Sequence, residues 1–88
     1  MSELDDLLRE YRGNLRTRIQ VLESLASQCQ DPVVSTKIRQ IAHQIVGSAG
    51  TYGLDELSLL AKTLEKSPLP DFEQNLQLFL ISLRANAL

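Results

Sequence analysis

Apolar residues along this chain recur in steps of three and four, and no window alternates as a half-buried strand would. From Ser2 to about Gln28 they fall at Leu4, Leu7, Leu8, Tyr11, Leu15, Ile19, Leu22, Leu25 and Ala26, with Cys29 just beyond. That spacing lays one stripe along an amphipathic helix. Ser2 stands at the N-cap position, and acidic residues crowd the first turn, where the helix dipole favours them. Gly13 costs about 1 kcal/mol relative to Ala in a helix interior, so a split into a short and a longer helix is expected there. Asp31-Pro32 restarts the chain, with Asp as cap and Pro in the first turn. The second helix carries Val34, Ile38, Ile41, Ile45 and Ala49 inward, runs towards Tyr52 and stops at Gly53. A third begins at Leu54-Asp55-Glu56-Leu57, with Leu57, Leu60, Ala61 and Leu64 inward. Ser67-Pro68-Leu69-Pro70 is a turn that cannot continue a helix. Asp71 then caps a fourth, whose apolar face is Phe72, Leu76, Phe79, Leu80 and Leu83. Short connections between successive helices imply antiparallel neighbours. The expected fold is all-α: one antiparallel up-and-down four-helix bundle over residues 1–88.

Composition narrows the function classes. The 88 residues carry nine Lys and Arg against eleven Asp and Glu, a net charge of −2, so the basic footprint of a nucleic-acid binder is missing. Aromatics are 5% of the chain and Trp is absent, which leaves a core of aliphatic side chains suited to packed helices. One cysteine, Cys29, allows no disulfide within the chain and no Cys-rich zinc site. No apolar run approaches the roughly 20 residues that span a bilayer. The acidic start lacks the regions of a secretion signal. A cytoplasmic protein is expected, and the Met1-Ser2-Glu3 start favours a free protein over an excised domain.

One stretch departs from the pattern of a solvated helix face. Projected at about 100° per residue, His43 lies opposite the stripe centred on Ile41 and Ile45, and it shares that outer face with Thr36, Arg39, Gly47 and Gly50. Outer faces normally collect good helix formers, yet two glycines sit here at about 1 kcal/mol each. Bare positions next to a lone imidazole give another macromolecule access to it. The plainer alternative is a surface histidine near a helix that frays early, with the glycines as cap residues. A metal site needs several ligands, and this is the only histidine. A Ser-His-Asp hydrolase needs a pocket that a small helical domain hardly offers, and Ser48 is turned towards the core. The Gly47-x-x-Gly50-x-x-Gly53 run lacks the Lys-Ser/Thr ending and the preceding strand of a phosphate-binding loop. What remains is the imidazole as a nucleophile. Its second nitrogen must then hold the proton, ideally donated to a carboxylate.

The run Ala42-His43-Gln44-Ile45-Val46-Gly47-Ser48-Ala49-Gly50-Thr51-Tyr52-Gly53-Leu54, followed by Leu57 and Leu64-Glu65, resembles the histidine-containing phosphotransfer (HPt) family. The resemblance covers about a quarter of the chain and implies a four-helix bundle whose exposed histidine exchanges a phosphoryl group with the aspartate of a response-regulator receiver domain. It implies His43 as phosphoacceptor through Nε2, Glu65 as the residue that orients the ring, and Gly47 as the position that keeps the approach open. Many members carry Lys where this chain has Val46, so the cation that helps is in question. Arg39, one turn before His43, is the nearest candidate, and Lys62 on the third helix is the next. Gln40 and Gln44 flank the site, Ala42 and Val46 border His43, and Gly50 shares its face. These positions make up the expected partner-binding surface. Leu59, Leu78 and Ile81 also lie off the inward stripes, as normal scattered surface or as docking or self-association residues.

The resemblance implies a phosphoryl carrier that is no enzyme by itself. It has no acidic cluster for Mg²⁺ and no cofactor, and the metal is expected on the partner receiver, because in-line transfer needs cations about the phosphoryl oxygens. The expected partners are receiver domains and a hybrid histidine kinase, with no nucleic acid and no membrane, and the protein itself is expected to be a monomer. Two other readings share these residues. One is the phosphate-accepting domain of a chemotaxis-type kinase. The other is a helical adaptor that binds receivers without being phosphorylated.

Overall fold

Four helices account for nearly all of residues 3–88, the part of the chain that the computed structural model describes. They are α1 (Glu3–Ala26), α2 (Pro32–Thr51), α3 (Asp55–Lys66) and α4 (Leu69–Asn86). No strand occurs among the described residues. The N-cap expected at Ser2 lies outside them.

Local chemistry sets the boundaries. The Asp31 carboxylate accepts the N–H groups of Val33 at 2.8 Å and Val34 at 3.2 Å, satisfying donors that the first turn of α2 leaves free. At the other end Gly53 takes φ +75°. Its N–H bonds to Gly50 O and that of Leu54 to Ala49 O, the paired closure of a left-handed glycine stop. Only glycine adopts that φ without strain, so the chain passes from α2 to α3 in three residues.

Two expected boundaries are corrected. Gly13 does not divide α1, which is continuous from Glu3 to Ala26. Buried Tyr11 and Leu15 flank the glycine, and anchoring on both sides outweighs about 1 kcal/mol of propensity. The fourth helix starts two residues before Asp71, at Leu69, with Pro68 as N-cap and Pro70 inside the first turn. A first turn tolerates proline because its N–H groups have no intrahelical acceptor. Asp71 sits in that turn and favours the dipole without capping it.

The core forms where the four stripes meet. Both phenylalanines, Phe72 and Phe79, are fully buried, together with leucines and isoleucines from every helix. The α1 stripe reaches this core only from Tyr11 onwards. Leu4 and Leu7 are exposed, so the first turns of α1 extend past the packed region. Arg16 Nη1 donates to Ala87 O at 2.5 Å, and Arg84 pairs with Glu23 at 3.5 Å, which ties α1 to α4. The buried Ser67 hydroxyl is satisfied: it donates to Thr63 O and accepts from Asn75 Nδ2, each at 2.6 Å.

Candidate functional site

The buried side of α2 consists of Ile38, Ile41, Ala42, Ile45 and Ala49, with Ser35 at its start. His43 points the other way, its side chain 74% exposed. Its Nδ1 lies 2.5 Å from Glu65 Oε2 on α3, and the Glu65 side chain is 25% exposed. An Nδ1–H donated to a carboxylate fixes the neutral ring in the tautomer whose lone pair is on Nε2. Among the described residues Nε2 meets no protein partner. The arrangement is an uncrowded nucleophilic nitrogen on a ring that its own chain orients from behind.

Glu65 is itself held. Arg39 Nη1 donates to the Glu65 carbonyl at 2.7 Å and approaches that of Leu64 at 3.4 Å. The Arg39 guanidinium also lies over the Phe72 ring, 4.5 Å from its centroid. His43, Glu65, Arg39, Gln40 and Gln44 together line one shallow, open groove. Gln44 accepts a hydrogen bond from Arg18 Nη1 of α1.

Gly47 and Gly50 are exposed on the same side of α2. A Cβ built on Gly47 would meet nothing within 4 Å, and one on Gly50 would lie 3.9 Å from Ser58 Oγ, an ordinary contact. Packing therefore demands glycine at neither position. Val46 is half-buried against the core, and its carbonyl accepts from Ser58 Oγ at 2.8 Å.

Two expected members of the partner surface are placed elsewhere. Ala42 has 0% exposure. One turn from both Ile38 and Ile45, it completes the core stripe, so it cannot border His43 on a docking face. Lys62 is exposed but lines a groove with Leu59, Thr63, Lys66 and Asn75, apart from the one that contains His43. Arg39 does share that groove, with one nitrogen engaged by α3. Leu59, Leu78 and Ile81 are exposed, as their positions on the wheel predicted.

The α1–α2 boundary holds contacts that periodicity did not signal. Tyr11 and Tyr52 stack with ring centroids 4.3 Å apart and planes 16° from parallel. The Tyr11 hydroxyl and Ser48 Oγ share a hydrogen bond of 2.8 Å. Burial pushes the Tyr11 phenol above its ordinary value of 10.0, and the Ser48 hydrogen bond pulls it part of the way back. The buried Cys29 thiol is likewise pushed up, first by desolvation and then by nearby Glu73, away from the thiolate that would make it reactive.

Comparison with known protein families matches residues 6–87 to the Hpt domain, and the chain belongs to that family. Membership assigns it to histidine phosphotransfer in two-component signalling, where Hpt domains act as phosphocarriers alongside receiver and kinase domains. Neither the curated proteins nor the solved structures compared with it give a match. Among the described residues no three or more His, Cys, Asp or Glu side chains gather in a way that could hold a metal ion. No helix there is long and apolar enough to cross a membrane.

Proposed function

We propose that residues 1–88 form one phosphorelay carrier domain in which His43 accepts a phosphoryl group from a receiver aspartyl phosphate and returns it to the aspartate of another receiver. The observation that carries this reading is the exposed imidazole bonded through Nδ1 to Glu65. In the forward step the Nε2 lone pair attacks phosphorus, the N–P bond forms, and the P–O bond to the aspartate breaks, releasing its carboxylate. Positive charge develops on the ring as the bond forms, and the Glu65 carboxylate is already aimed at the Nδ1 proton that shares it. The receiver supplies Mg²⁺ and the cations about the phosphoryl oxygens, while this chain supplies the oriented nucleophile and a docking face around Gln40, Gln44, Val46, Gly47 and Gly50.

The scaffold of this reading is an antiparallel up-and-down bundle. Cross-helix contacts support it, since partners run in opposite directions: Tyr11 meets Ser48 while Arg18 meets Gln44, and Arg39 meets Glu65 while Val46 meets Ser58. The carrier works as a monomer in the cytoplasm, with a hybrid histidine kinase as one source of its receiver partners.

A receiver phosphorylated on aspartate should pass label to this protein as acid-labile, base-stable phosphate, and His43→Gln should abolish the transfer. Undiminished labelling of His43→Gln would remove the assignment. Receiver binding by wild type without any labelling would leave the adaptor reading in its place.

A further inference from the structure

We propose that Arg39 is a positioning residue for transfer at His43, acting through Glu65 and not upon the phosphoryl group. The proposal rests on the reading of His43 as phosphoacceptor, and it begins from the way α3 ends. The last carbonyls of a helix have no intrahelical donor. Ser67 N–H serves Leu64 O at 3.1 Å. For Glu65 O the equivalent donor would be the next residue along, but that residue is Pro68, which has no N–H. Arg39 Nη1 fills the vacancy at 2.7 Å, bringing a cation to the negative end of the α3 dipole.

The guanidinium is also held from its flat side. Its position over Phe72 at 4.5 Å is a cation–π contact with a ring that is fully buried at the start of α4. One side chain thus fixes the backbone of Glu65 against two other helices, while the Glu65 carboxylate fixes the imidazole. Arg39 and His43 leave the same face of α2 one turn apart and converge on the two ends of one residue. Lysine reproduces this only in part, because its ammonium is a point charge with no plane to lay over the Phe72 ring.

The test uses the full chain as wild type, Arg39→Met, Arg39→Lys, Glu65→Ala and the Arg39→Met/Glu65→Ala double variant. Ring-nitrogen chemical shifts of His43 report the tautomer in the unphosphorylated protein. Transfer rates at varied concentrations of a receiver charged with acetyl phosphate separate the maximal rate from the half-saturating concentration. Arg39→Met should reduce the share of the Nδ1–H tautomer and lower the maximal rate about tenfold, the scale of a lost outer-shell partner, with half-saturation unchanged. In the Glu65→Ala background the same substitution should change the rate less than twofold, because its route of action is already cut. Arg39→Lys should recover only part of both readouts, and it carries the test if Arg39→Met fails to fold. An equal loss in both backgrounds would overturn the proposal, since Arg39 would then act on the phosphoryl oxygens directly. An unchanged tautomer with an unchanged rate would also overturn it. If wild type accepts no phosphoryl group, the reading of His43 fails, while the tautomer measurement still decides whether Arg39 governs the Glu65–His43 pair.

Discussion

Towards α3, the side-chain pair of His43 and Glu65 is flanked by two contacts that end on backbone: Ser58 Oγ reaches Val46 O, and Arg39 reaches Glu65 O. Towards α1 its contacts join side-chain tips: Tyr11 to Ser48, Arg18 to Gln44, and the Tyr11–Tyr52 stack. Among the four helix pairs that pack side by side, α2 with α3 has the most extensive contact and α1 with α2 the least. An open cleft lined by Tyr11, Asn14, Arg18, Gln44 and Ser48 separates α1 from α2. Links that terminate on main-chain carbonyls allow little sliding of one helix along the other, whereas links between rotatable tips can re-form after a small shift. The ring of His43 takes its orientation from the stiffer side, and the looser side borders the same exposed surface through Gln44.

The largest effect is expected from bulk added to the core that underlies both sides. Ala42→Leu places a large side chain at a site with no free surface, and overpacking of this kind costs about 1–3 kcal/mol. Chemical denaturation should show that loss. An unaltered midpoint would mean that the close packing around Ala42 has slack.

A smaller effect is expected on the looser side. Tyr11→Phe removes one part-buried hydrogen bond, worth about 0.5–1.5 kcal/mol, and leaves the stack with Tyr52 intact. It should also change the alkaline limb. The folded state raises the Tyr11 phenol above 10.0 by burial, so this contribution is complete below that value and is lost as pH rises through the folded value. Stability measured from pH 8 upward should therefore decline less steeply in Tyr11→Phe than in wild type.

The smallest change in stability belongs to the face that neither neighbour covers. Gly47→Gln replaces a poor helix former with a good one in open space and should gain about 0.5 kcal/mol. Receiver docking should weaken in the same variant. A gain in stability with undiminished docking would detach the glycine from access to His43.

Much of this was legible in the chain because helical periodicity reports each helix against its own core. The exposure of His43, the cap at Asp31 and the stop at Gly53 all follow from local rules. Ala42 obeys the same rule: its steps to Ile38 and Ile45 place it inward, not beside His43 on the outer face. Arg39 shows a limit: its face was evident, but its destination depends on where α3 ends and on a proline that withholds a donor. Tyr11 and Tyr52 belong to different helices, and no single-helix pattern predicts that they stack. The pairing of Glu65 with His43 was expected only through the family resemblance, because nothing in the spacing of α3 singles out that carboxylate.

The tight bend at Gly53 also bears on how the site forms during folding. Because two adjacent helices and one three-residue bend bring the imidazole and its carboxylate together, their encounter needs no closure of a long loop. Replacing that glycine with an L-residue would strain the very bend that joins the helix of the imidazole to the helix of its carboxylate.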